Sequence, residues 1–235
     1  MVPVREKLNI CVIAAHPDDE ILGCGGTIAK HINDGDEVYV LIMAEGITSR
    51  DDKRDRKSRE KELSELTKAA HEAHEILGTT SLQLLDSPDN RMDSVDFIDI
   101  VKIIEKRLAG MSPDIVYTHH WGDLNIDHRI THQAVMTAFR PKPGLSVKKI
   151  LCFEIPSSTD WQTPNMNTIF SPNYYVNISG TLHQKLKALK SYSSEMNPWP
   201  HTRSIEAVEH LAHWRGSSMG LEAAEAFIIV RDIIY

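Results

Sequence analysis

The chain has 235 residues, enough for one large domain with a core that needs no disulfide or metal staple. A net charge of −7 and a pI near 5.9 lack the basic footprint of a general nucleic-acid binder. Hydrophobic residues at 41% and charged residues at 25% fit a water-soluble globular protein, and no apolar run is long enough to span a bilayer.

In chain order, short β-rich runs alternate with amphipathic helical stretches, the pattern of parallel strands joined by helical crossovers. Strands are expected near 8–15, 37–44, 81–86, 114–118, 149–155, 174–178 and 226–231. Helices are expected over 21–34, 55–77 and 94–109, each closed by a glycine (Gly35, Gly78, Gly110). Three more follow over 127–139, 180–192 and 205–215. The fold class is therefore α/β: a Rossmann-like three-layer sandwich with a mostly parallel sheet, one domain over 1–235. Residues 156–173 carry three prolines and no periodicity and read as a loop or lid. The apolar N-terminal stretch runs straight into acidic residues without a small-residue cleavage site, so it reads as a first strand and not a signal peptide. With Cys11, Cys24 and Cys152 expected as buried free thiols, a cytoplasmic location is expected.

The first strand leads into "HPDDE", residues 16–20. Three adjacent acids repel one another unless something positive sits among them, and a metal ion is the natural candidate. His16 and Asp19, three apart in a turn entering a helix, can converge on one ion while Asp18 reaches a water. The bland alternative has the acids complementing the helix dipole. The strand near 114–118 leads into "THHWGDLNIDHRITH", residues 118–132, offering His119, His120, Asp127, His128 and His132 as a third ligand. His128 at a helix start is the best choice. His128 and His132 share a helical face, but Arg129 stands where an HExxH motif needs glutamate, so His132 reads as a packed helix residue. Gly23, Gly25 and Gly26 do not follow G-x-G-x-x-G and read as packing glycines beneath the sheet.

The "AHPDDE" after the first strand and the Asp-His pair opening a later helix resemble the LmbE/PIG-L family of zinc-dependent N-deacetylases. The resemblance implies one Zn2+ per chain on His16, Asp19 and His128, with Fe2+ or Co2+ able to occupy the same donors. It implies Asp18 as general base and an N-acetylated amino sugar or glycoconjugate as small-molecule substrate. Many members carry His-x-Asp-His at the second motif; here the first histidine is Asn125, which donates a hydrogen bond but shuttles no proton. Asp127 would orient a neighbouring group. Ser49, Arg50, Asp89, Asn90 and Arg91, on loops after the second and third strands, are substrate-binding candidates by the same resemblance; a plain β-turn at 87–90 is the competing reading.

Toward the C-terminus, His201 is a candidate for substrate binding or proton donation, and Arg203 and Arg215 for holding hydroxyls or phosphates, against surface roles for each. Residues 50–61, "RDDKRDRKSREK", either draw an anionic substrate to the site or form a solvated face. Two other functions remain: a two-metal hydrolase of another bond such as a phosphoester, and an inactive sugar-binding protein. Neither nucleic acid nor membrane is an expected partner; a homo-oligomer is compatible with the sequence.

Overall fold

The computed structural model describes residues 6–234; the rest of the chain read above, residues 1–5 and 235, lies outside them. Seven strands form one sheet in the order β3-β2-β1-β4-β5-β7-β6: β1 (Asn9–Ala14), β2 (Glu37–Ala44), β3 (Ser81–Ser87), β4 (Ile115–His119), β5 (Lys149–Phe153), β6 (Tyr174–Asn177) and β7 (Ala224–Asp232). Six helices accompany them: α1 (Asp19–Asn33), α2 (Glu60–Leu77), α3 (Phe97–Arg107), α4 (Ile126–Ala138), α5 (Leu182–Ser191) and α6 (Ile205–Ser217). Pairing is parallel from β3 through β5, whereas β7 runs antiparallel to both β5 and β6. The alternation of strands and helices does not reveal that reversal, because the last strand enters the sheet between two earlier ones.

Strand pleating divides the core. Ile10, Val12 and Ala14 of β1 pack with Ile21 and Ile28 of α1 and Leu66 and Ala70 of α2. The intervening Cys11 and Ile13 face Ile100 and Val101 of α3 and Ala134 and Val135 of α4. The result is a three-layer α/β/α sandwich. The chain winds from β1 outward to β3, then returns to β4 on the other side of β1, so the carboxyl ends of β1 and β4 form the topological switch point where open α/β sheets place ligands.

Helix α1 breaks at Cys24, whose φ of −149° is not helical. The glycines explain the break by close packing: a Cβ on Gly23 would lie 2.6 Å from Phe153 Cγ, and one on Gly26 2.8 Å from Ile178 Cδ1. The amides freed there, Gly26 N–H and Thr27 N–H, donate to the Glu225 carboxylate of β7 at 3.0 and 2.6 Å. Lys185 of α5 pairs with Glu225 at 2.6 Å and donates to the Leu22 carbonyl at 2.8 Å. A buried ion pair thus splices the two halves of the helix. Helix α2 starts at Glu60 and not at 55, because the preceding basic run is wound into ion pairs: Arg54 with Glu45, Arg56 with Glu45 and Asp86, Arg59 with Asp51. All three cysteines are buried free thiols, and among the described residues no helix is long and apolar enough to cross a membrane.

Candidate metal centre and pocket

Strand β1 ends at Ala14, and the turn after it places His16, Asp18 and Asp19 at the switch point. Asp18 has a φ of 106°, a conformation that costs an L-residue energy and persists only when its surroundings enforce it. Glu20 does so: its Oε2 accepts the Asp18 N–H at 3.1 Å. Its Oε1 in turn accepts from Tyr192 Oη at 2.8 Å and lies 3.2 Å from His74 Nε2.

Three atoms converge beside this turn. His16 Nδ1 lies 3.2 Å from Asp19 Oδ2 and 3.3 Å from His128 Nε2, and the last two are 3.1 Å apart. Each imidazole turns its other nitrogen to a carboxylate, His16 Nε2 to Asp127 Oδ2 at 3.1 Å and His128 Nδ1 to Asp123 Oδ1 at 3.2 Å. A carboxylate accepts, so the outward nitrogens carry the hydrogens and the inward ones present lone pairs. Two nitrogen lone pairs and a carboxylate oxygen facing one another demand a positive charge between them.

In the ion-free protein, protons meet that demand. Burial pulls the His16 pKa down, but hydrogen bonds to Asp127 and Asp19 more than offset it and leave it well above the usual range. Burial likewise lowers His128, yet Asp19 and Asp123 raise it to about 9. Burial raises Asp19, but the His128 and His16 rings hold it well below the usual carboxylate range. A tetrahedral ion ~2.0–2.1 Å from N and O donors spaces them roughly 3.3 Å apart, which the triangle matches. Asp19 Oδ1 is buried without a hydrogen-bond partner, with Arg203 Nη2 3.7 Å away. His16, Asp19 and His128 therefore fit a zinc-type ion, and the donor set equally suits Fe2+ or Co2+. A second grouping, His16 with Asp89 and Asp127, needs no ion. The Asp127 oxygens accept the Asn90 and Met92 amides at 2.7 and 3.0 Å, and Asp89 Oδ2 accepts the Ser49 amide at 3.0 Å.

A polar cavity of about 130 Å³ opens above the triangle beside Asp18. Of the residues read from the sequence, Ser49, Arg50, Asp89, Asn90, Asn125 and Arg203 line it. Asn125 caps α4 by accepting the Asp127 N–H and donates to Asn90 Oδ1, both at 2.8 Å. Arg203 donates to Asp18 Oδ2 at 3.0 Å and to Ser157 Oγ at 2.8 Å, while Asp18 Oδ1 stays buried without a partner. Burial pushes the Asp18 pKa well above the carboxylate range; Arg203 opposes this, and Asp19, Glu195 and Glu20 add to it.

Three candidates point elsewhere. His201 accepts the Arg203 N–H on its Nδ1 at 3.0 Å and sets its ring against Trp161, so it braces its own loop. Arg91 donates to the carbonyls of Asp51 and Asp52. Arg215 clasps Glu154 at 2.8 and 2.7 Å, away from the pocket. His119 accepts the Ala15 N–H at 2.8 Å and stacks on His128, and burial keeps it neutral; His132 donates to the His119 carbonyl. The stretch 156–173 is tied down: Ser158 and Thr159 hydroxyls donate to Asp123 at 3.0 and 2.7 Å.

Sequence reasoning passes over Asp123, which lies inside "GDLNIDH", and Glu195, which lines the pocket. Asp123 carries a signal, an acid five residues before a candidate ligand. Glu195 carries none, because only the fold brings it to the site.

The family model described as PIG-L, GlcNAc-PI de-N-acetylase, matches residues 11–139, over half the chain and including all three atoms of the triangle. The chain belongs to the PIG-L family. Curated proteins offer no sequence match. Among solved structures, the PIG-L chain is similar to the conserved protein TT1542 from Thermus thermophilus, with 24% identity, 97% of each chain covered and a TM-score of 0.74. It is similar to N,N'-diacetylchitobiose deacetylase from Pyrococcus horikoshii at 23% identity, covering 97% of this chain and 86% of that one, TM-score 0.74. It also matches GalB, the 4-carboxy-2-hydroxymuconate hydratase from Pseudomonas putida, at 19% identity, 98% of each chain and a TM-score of 0.76. At these identities the three share a fold with this PIG-L chain.

Proposed function

We propose that the chain is a metal-dependent N-deacetylase that hydrolyses the acetamido group of an amino sugar or glycoconjugate, with zinc on His16, Asp19 and His128. The observation that carries this reading is the pairing of a three-donor triangle with Asp18, whose Oδ1 is buried, unpartnered and beside the cavity. The PIG-L description and the deacetylase among the structural neighbours support the acetamido substrate. An ion bound there supplies a Lewis acid for a carbonyl oxygen and makes a water more acidic.

The protein's own groups do the rest. Asp18 takes a proton from the attacking water, whose oxygen bonds to the acetyl carbon. As the C–N bond breaks, the same proton passes from Asp18 to the amine, giving acetate and a free amino sugar. Asp18 serves both steps because Asn125 cannot transfer a proton. Arg203 holds Asp18 Oδ2 and leaves Oδ1 for the water. Asn125 Nδ2–H supplies a donor for the developing oxyanion, a role whose loss typically costs about 10²- to 10³-fold in rate. Asp127 and Asp123 keep the two imidazoles in the tautomers that turn lone pairs inward.

The test is acetate release from a panel of N-acetylamino sugars by zinc-loaded protein, with a chelated control. Chelator-sensitive acetate is expected, and Asp18→Asn should abolish most of it while the protein keeps its zinc. Loss of zinc in that variant would make Asp18 a ligand. The hydratase neighbour defines the competing outcome: water added to a carbon–carbon double bond, with no acetate formed.

A further inference from the structure

The sequence leaves open whether the acetylated substrate carries a phosphate, and the run of basic residues at 50–61 invites the idea that it does. The structure ties the arginines of that run to the protein's own carboxylates. Arg54 and Arg56 grip Glu45 at 2.8 Å each, and Arg59 grips Asp51. Lys53 and Lys57 are exposed and do not line the pocket. The two arginines that do line it are also engaged. Arg203 is committed to Asp18, and Arg50 Nη2 reaches both oxygens of Glu195 at 3.0 and 2.9 Å.

Arg50 stands in the short helix after β2, and Glu195 in the loop before α6, some 145 residues further along the chain. Both line the cavity, so their ion pair joins two walls of it. Glu195 is only 16% exposed and lies close enough to Asp18 and Arg203 to shift both electrostatically. An incoming anion would meet the carboxylates of Asp89 and Glu195, and the half-exposed Arg50, held through Nη2 by Glu195, offers it a guanidinium whose charge Glu195 already offsets. A hydroxylated, uncharged sugar meets none of these costs, because carboxylate and guanidinium both hydrogen-bond to hydroxyls while remaining paired.

We propose that the Arg50–Glu195 pair is a specificity element that makes this pocket select uncharged N-acetylamino sugars over phosphorylated ones. The inference rests on the deacetylase reading for its chemistry but not for its binding preference. Selectivity arises through repulsion of the wrong substrate as much as attraction of the right one. Glu195 supplies that repulsion, and it offsets the charge of Arg50, which would otherwise attract a phosphate.

The experiment compares N-acetylglucosamine with its 6-phosphate on zinc-loaded protein, by acetate release and by calorimetric binding. Wild type should favour the neutral sugar by about tenfold or more in both readouts. Glu195→Gln should leave the Arg50 charge without that offset and move the neutral-to-phosphate ratio toward the phosphate by about tenfold. The double variant Arg50→Gln with Glu195→Gln should return it toward the wild-type value. Equal or tighter binding of the phosphate by wild type overturns the proposal, as does binding of neither sugar. A ratio within about twofold of wild type in folded Glu195→Gln also overturns it. Silence in acetate release alone would count against the deacetylase reading, while selective binding of the neutral sugar would still support the pair as the selector.

Discussion

Glu20 Oε2 accepts the backbone N–H of Asp18 at 3.1 Å and so holds the proposed base in a backbone conformation, φ 106°, that it would not keep alone. Glu20→Leu keeps the bulk but removes the acceptor of that N–H and releases the turn. Turnover should fall about 10- to 100-fold, the scale of a roughly 1 Å misplacement of a reacting group. Zinc content should be unchanged, since Glu20 faces none of the three donors. Tyr192→Phe leaves His74 on Glu20 and should cost about 1 kcal/mol of stability, read by urea unfolding.

Metal uptake should compete with protons. Metal binds neutral imidazole, and His128 without an ion stays protonated up to about pH 9. Zinc affinity should therefore rise between pH 6 and 9, with proton release measurable by calorimetry in buffers of different ionisation enthalpy. An affinity flat over that range would show that these nitrogens do not bind the ion. The sign for stability is opposite. The raised His128 pKa stabilises the ion-free fold below about pH 6.5, and that contribution is lost as pH climbs through 9.

Asp123 links the second motif to its support. Burial raises its pKa, but the neighbouring His128 charge and hydrogen bond bring it to about 2. Relative to an ordinary carboxylate this is worth about 2 kcal/mol to the ion-free fold. That stability is present above about pH 4 and lost as pH falls toward 2. Asp123→Asn should flatten that part of the stability curve, measured by urea unfolding at pH 5 and pH 3. It should also weaken zinc binding about 10- to 100-fold, because an uncharged amide oxygen is a weaker acceptor for His128 Nδ1–H than the carboxylate that fixes its tautomer.

What was legible in the sequence was local. His16 and Asp19 follow β1, and His128 lies in the first turn of the helix after β4, elements that the hydrophobic pattern reveals, so their convergence at the switch point follows from topology. The packing role of Gly23 and Gly26 was legible too, since their spacing excluded a nucleotide loop. The positions of Glu195, Tyr192 and His74 were not, because each reaches the site across long sequence separations that no periodicity encodes. His201 illustrates the converse: its type and loop setting suit proton transfer, but its Nδ1 is spent on Arg203 N–H.

The Lys185–Glu225 pair should be costly to halve. Lys185→Met leaves a buried carboxylate without its cation and the Leu22 carbonyl without its donor, a loss of about 3–5 kcal/mol. Lys185→Met combined with Glu225→Gln should recover part of that, because the remaining amide oxygen can still accept one freed helix N–H. Thermal unfolding of the three proteins checks the order.

The same splice sets a timetable. The two amides at the break of α1, helix of the first motif, are met by a carboxylate from β7, some 200 residues later in the chain, and β7 also lies between β5 and β6. A nascent chain on the ribosome can pair β1 with β2 and β4 early, yet α1 keeps a raw seam and β6 has no neighbour until β7 emerges. The break in α1, the helix that Asp19 opens, is thus braced by a strand made some 200 residues after it. Chaperone contact during synthesis should concentrate on that seam.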